Sequence, residues 1–101
     1  MAKFIVRVEL HDAGYDDPVY QTLHQSMEKA GFKRHLTADD GVSYQLLTAE
    51  YHAVGDYPIK TVIEAAKKAA KTTDKLFSVF VAEYTNAMWN NLKHVKPLRY
   101  P

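Results

Sequence analysis

Five histidines and no cysteine in 101 residues define the chemistry open to this chain. Imidazole can give and take protons near neutral pH, whereas thiol nucleophiles, thiolate metal sites and disulfides are excluded. The histidines are His11, His24, His35, His52 and His94, and none belongs to a His-x-x-x-His or Glu-x-x-His pair. Neither a metal centre nor a cofactor is therefore expected. The basic side chains able to hold a phosphate are Arg7, Lys33 and Arg34, and towards the C terminus Lys93, Lys96 and Arg99. The latter group alternates with Trp89 and Tyr100, a pattern that can track a phosphate backbone while its rings stack on bases. A solvated terminus is the plainer explanation of so few charges.

These residues need a scaffold. With 47% hydrophobic and 25% charged residues the composition is that of one globular domain. The net charge of +1 supplies no general field for nucleic acid or anionic lipid. Charge is nevertheless uneven: residues 1–57 hold five Lys/Arg against nine Asp/Glu, and residues 58–101 hold eight against three. The apolar run at Phe4-Ile5-Val6 is interrupted by Arg7 and Glu9, too short for a signal segment or a membrane span, so a soluble, cytoplasmic protein is expected.

Lys3 to His11 alternates with the period of a half-buried strand, placing Phe4, Val6, Val8 and Leu10 on one side. Asp16-Asp17-Pro18 then reads as a carboxylate cap with proline opening a helix from Pro18 to Ala30, stopped by Gly31. Phe32–Thr37 and Val42–Ala53 read as two antiparallel strands about an Asp39-Asp40-Gly41 turn. Gly55-Asp56-Tyr57-Pro58 repeats the stop, cap and proline pattern before a second helix, with Ile59, Val62, Ile63, Ala66, Ala69 and Ala70 inward, ending near Thr72. Leu76–Tyr84 is a last strand, and Thr85–Val95 a short helix ahead of a tail with Pro97 and Pro101.

Strand, helix, strand, strand, helix, strand has one common compact solution: a ferredoxin-like α+β sandwich with a four-stranded antiparallel sheet in the order 4-1-3-2 and both helices on one face. Residues 1–84 would form this domain and 85–101 an extension. The uncovered face would carry Ile5, Arg7 and Glu9, then Tyr44, Leu46, Thr48, Glu50 and His52, then Phe80 and Tyr84, leaving Leu47, Ala49, Tyr51, Phe77, Val79 and Val81 as core. Tyr44, Leu46 and Phe80 make it a partner surface, suited to a homodimer or to stacked bases, unless Met88, Trp89 and Leu92 fold back over it. His11 and His52 fall at opposite edges, ~20 Å apart. Lys3, Lys33 and Arg34 gather near His52, and Asp12, Asp16, Asp17, Asp39 and Asp40 near His11.

The strand "KFIVRVEL", the helix "YQTLHQSMEKAGF" and the pair "DDGVSYQL" and "TAEY" resemble a small bacterial family of unassigned function grouped with the GhoS-type antitoxins, over roughly residues 3–84. The match to GhoS itself lies mainly in the first strand and the Leu23-x-x-x-Met27 to Phe32 stretch. The resemblance implies a ferredoxin-like endoribonuclease of a type V toxin-antitoxin system, akin to the small CRISPR-associated nucleases. It also implies that the basic residue following the helix leucine falls on His24, where GhoS-type proteins hold arginine. Arginine is a fixed planar cation, whereas histidine suits proton transfer.

Two functions are thus in view. An RNA-binding or RNA-cleaving antitoxin would take single-stranded RNA, with His24 and His52 as catalytic residues and Arg7, Lys33, Arg34, Lys93, Lys96 and Arg99 on phosphates. A non-catalytic interaction or dimerisation module would use the open sheet face. An RNA-recognition module ranks below both, since "YQLLTAEYH" lacks the Gly-rich aromatic signature, and neither DNA binding nor membrane insertion is expected.

Overall fold

The strict alternation of the first strand organises everything that follows. In the computed structural model, which describes residues 1–95, β1 spans Ala2–Leu10 and buries Phe4, Val6, Val8 and Leu10 on one face. Two further strands, β4 (Glu50–Gly55) and β5 (Phe77–Tyr84), pair antiparallel with its two edges, giving a three-stranded sheet ordered β4-β1-β5. Val6 lies opposite both Tyr51 and Val81, so apolar side chains run unbroken across the buried face.

Both helices share one core with that face. α1 (Val19–Lys29) contributes Tyr20, Leu23 and Met27, and α2 (Ile59–Ala70) contributes Val62, Ala66, Ala69 and Ala70. Their spacing is the stripe a 3.6-residue period requires. Pro18 itself holds the N-cap position, and Asp17 Oδ1, one residue earlier, accepts the Val19 N–H at 3.0 Å. At the other end Gly31 is left-handed (φ 98°), the Gly31 N–H donates to Glu28 O, and the Phe32 N–H donates to Met27 O. This is a Schellman stop, with Met27 and Phe32 both buried as its apolar contact. α2 has no side-chain cap; Pro58 itself holds the N-cap position and Asp56 plays no such part. A turn of 3-10 helix, Lys71–Thr73, follows α2.

The four-stranded order 4-1-3-2 is not formed. The expected second strand is instead a short hairpin, β2 (His35–Thr37) with β3 (Ser43–Gln45), about the predicted turn, where Gly41 donates to Ala38 O at 2.9 Å. It meets the three-stranded sheet at one rung: Lys33 and His52 exchange backbone hydrogen bonds of 2.9 and 2.7 Å. The cause lies between Gln45 and Glu50. There the expected continuous strand breaks in a turn, with Glu50 N–H donating to Leu47 O and Ala49 left-handed at φ 65°. Ala49 is fully buried, and its carbonyl accepts the Val8 N–H at 3.1 Å, which fixes the kink against β1.

That kink reverses two expectations: Leu46 is buried and Leu47 is 62% exposed. The C-terminal helix is also absent. Residues 85–95 run without helix, and Lys93 O accepts from Gln45 N while Val95 N donates to Ser43 O, pairing the segment with β3. Asn86, Asn90 and Asn91 are poor helix formers, and Asn91 is left-handed at φ 64°. Among the described residues no helix is long and apolar enough to cross a membrane.

Ala49 supplies a test of the kink. Ala49→Gly should be neutral or stabilising by up to about 1 kcal/mol, because it relieves a left-handed Cβ. Ala49→Val adds a β-branched side chain at a strained, fully packed position and should cost about 3 kcal/mol or more, read as a fall in the urea midpoint.

Candidate functional site

Register places the chemistry. On the face of β1 opposite the core, Ile5 lies between His52 and Ala82, and Lys3 between Val54 and Tyr84. The backbones of β4 and β5 are two strand spacings apart, roughly 10 Å, so only long side chains can meet above β1. His52 and Tyr84 do so: Nε2 and the phenolic oxygen are 2.5 Å apart. Lys3 extends its ammonium group over the Tyr84 ring, 5.1 Å from the centroid, and donates to Thr85 O at 3.3 Å.

Although His52 is on the open face, it is only 9% exposed. The hairpin and the segment after β5 wall it in, leaving a cleft of about 800 Å³. Lys3, His52 and Tyr84 line it from the sheet, Lys33 and His35 from the hairpin arm, and Trp89 from the C-terminal segment. Asp39 and Asp40 line it from the hairpin turn, so the cleft is polarised, with cations flanking the imidazole and carboxylates at the turn. Burial, then the charges of Lys3 and His35, hold His52 below the ordinary imidazole range, and burial raises the Tyr84 phenol. At neutral pH the pair is thus a neutral ring against a protonated phenol, sharing one short hydrogen bond whose direction follows the ring tautomer. Such a pair can relay a proton between a ligand hydroxyl and the buried nitrogen.

The structure does not bring His24 to this site. Its Nδ1 is 2.6 Å from the Tyr51 hydroxyl, inside the core between α1 and β4, where Tyr20 accepts the Leu10 N–H at 3.0 Å. Tyr51 and His52 are consecutive in a strand and so point to opposite faces. His24 and His52 therefore cannot act on one substrate atom. Burial, then the Arg34 charge, lowers the His24 pKa to about 4, and burial pushes Tyr51 well above its usual range.

The same alternation divides the basic residues. Lys33 and His35 line the cleft, while Arg34 lies on the other side with the His24–Tyr51 pair, correcting the expected Lys3–Lys33–Arg34 grouping. Arg7 lies on the open face opposite Glu50, outside the cleft, and Tyr15, Glu50 and Glu9 raise its pKa. Lys93 is exposed and contributes its carbonyl to β3, while Lys96 and Arg99 lie outside the described residues.

The proposed partner surface does not assemble either. Tyr44 packs on Trp89 and His94, with ring centroids 5.2 and 4.9 Å away, Leu46 is buried, and of the three Phe80 alone stands free on the open face, 67% exposed. The acidic edge is also split: Asp39 and Asp40 join the cleft, and His11 meets Ser78 at 2.9 Å. Among the described residues no three His, Asp or Glu side chains cluster closely enough to hold a metal ion. Tyr84 as the partner of His52 could have been found from strand order, since both flank the first strand on one face. His35 and Trp89 could not, because their placement depends on the detached hairpin.

The buried histidine makes stability depend on pH. In the unfolded chain His24 titrates near its ordinary 6.5, but in the fold only near 4. Between those values the unfolded chain binds the extra proton, so stability falls as pH drops from 6.5 towards 4. The lowered pKa of His52 acts in the same direction. His24→Gln should flatten the dependence by on the order of 2 kcal/mol in urea titrations at pH values spanning this window.

No protein-family model matches this chain, and no curated protein matches it.

Proposed function

We propose that the cleft binds single-stranded RNA and cleaves it by proton transfer through Tyr84 and His52. The observation that carries this reading is the short His52–Tyr84 hydrogen bond within a cleft flanked by Lys3 and Lys33. In the cleavage step the ribose 2′-oxygen bonds to phosphorus and the bond from phosphorus to the 5′-oxygen breaks. The 2′-hydroxyl proton passes to the Tyr84 oxygen as the Tyr84 proton passes to His52 Nε2. Lys3 and Lys33 offset charge on the phosphate, His35 on the cleft wall serves as proton donor to the departing 5′-oxygen, and Trp89 offers a ring for an adjacent base. The products are a 2′,3′-cyclic phosphate and a 5′-hydroxyl.

The β5-β1-β4 order with both helices on one face also supports a ferredoxin-like ancestry in which the second strand has detached into the hairpin. That topology, the antitoxin resemblance and a cytoplasmic RNA substrate form one coherent reading. A second reading, a non-catalytic interaction module, draws on Phe80, exposed on the open sheet face.

Mixed-sequence single-stranded RNA incubated with the protein and a chelator separates them. Cleavage ending in cyclic phosphate is expected, falling about 100-fold or more in His52→Gln and in Tyr84→Phe. Lys3→Ala with Lys33→Ala should raise KM more than it lowers kcat, and His24→Gln should cut at the normal rate. Uncut RNA, or a His52→Gln protein as active as the parent, would refute the cleavage mechanism and leave the interaction reading.

A further inference from the structure

Both edges of a sheet carry unpaired backbone groups, and a soluble protein has to deal with them. Here the β4 edge is occupied at His52 by Lys33 and overlain by the hairpin. The β5 edge has no such cover: among the described residues no other strand pairs with it. It is eight residues long, FSVFVAEY, with no lysine, arginine or proline and one charge, Glu83. The usual devices that blunt an edge are missing.

Which groups point outward follows from the hydrogen bonds of β1. The His11 N–H donates to Leu76 O, so Leu76, Ser78, Phe80, Ala82 and Tyr84 turn their amides and carbonyls towards β1. The Val8 N–H donates to Ala49 on the opposite side, which fixes the same alternation independently. The outward groups are therefore those of Phe77, Val79, Val81 and Glu83. None of them has a backbone partner among the described residues.

We infer that β5 pairs edge to edge with β5 of a second copy, antiparallel about a two-fold axis through Phe80. With the axis there, Val79 meets the second copy's Val81, and Phe77 meets its Glu83, so every outward group finds a mate and the two acids stay apart. Phe80 faces its own counterpart in a non-hydrogen-bonded pair, where side chains approach most closely. Leu76 comes opposite the second copy's Tyr84. The two most exposed apolar side chains at this edge, Phe80 at 67% and Leu76 at 76%, are thereby covered together. An axis through Val79 or Val81 leaves Phe80 opposite Ser78 or Ala82 and carries part of the strand past its partner's end. The interface is isologous, as closed dimers require, and independent of the RNA reading.

The chain has no cysteine, so one can be introduced as a reporter. Across a non-hydrogen-bonded pair the Cα atoms are ~4.5 Å apart, within the span of a disulfide. Under mild oxidation at micromolar concentration Phe80→Cys should form a covalent dimer, whereas Ser78→Cys should not. Ser78→Cys mixed with Ala82→Cys should cross-link as a heterodimer. In the parent protein the amides of Phe77, Val79, Val81 and Glu83 should exchange hydrogen more slowly as concentration rises. Phe80→Lys should sediment as a monomer, with the concentration-independent Tm that the parent approaches only on dilution. A parent that stays monomeric throughout, Phe80→Cys cross-linking no faster than Leu47→Cys on the exposed turn, or a dimer in which those four amides remain unprotected would overturn the proposal.

Discussion

The constraint on which this structure depends is the two-sidedness of β1. One face is entirely apolar and is buried beneath both helices; the other carries Lys3, Ile5, Arg7 and Glu9 and is left to do chemistry. Since a strand pairs on both edges, each residue on β1 also determines which residues of β4 and β5 share its face. Shifting β4 by one residue would bury His52 in the core and expose Tyr51, and shifting β5 would turn Tyr84 off the open face. The burial of Phe4, Val6 and Val8 therefore enforces the register that brings His52 to Tyr84.

Two histidines next to two tyrosines end in opposite situations through this rule. His24 and Tyr51 meet in the core at 2.6 Å, and His52 and Tyr84 meet on the far side of the sheet at 2.5 Å. Both rings are held neutral by burial, which removes the charged form in either place. The difference is access. The first pair is enclosed by α1 and β4 and satisfies two polar groups where an unpaired one would be costly. The second lines a cleft with lysines beside it, so its proton has somewhere to go.

Much of this was legible in the residues themselves. The alternation of Lys3–His11, the proline and glycine punctuation of α1, and the apolar spacing of α2 are local signals, and each element lies within a residue or two of its reading. The faces of β5 and of Glu50–His52 followed from period two. The break at Leu46–Ala49 was hidden because its left-handed residue is an alanine, with neither glycine nor proline to mark it. What compensates Ala49 is a long-range contact, the Val8 amide on its carbonyl, which no local window contains. The faces of Tyr44 and Leu46, and the seat of the C-terminal segment on β3, all depend on that kink and are hidden with it.

The kink also accounts for the existence of the cleft. Had Val42–Ala53 stayed straight, β2 would have lain flat beside β4, and His52 would have faced solvent on an open sheet. Breaking the strand frees the hairpin from all but the Lys33–His52 rung, and the C-terminal segment then holds it from the other side through Tyr44 and His94. The residue that anchors the wall and the residue that carries the imidazole are thus the same. One rung thus satisfies the outward amide and carbonyl of His52 and screens its ring from water; were the hairpin to leave, β1 and Tyr84 would still hold the imidazole, but in a wetter setting.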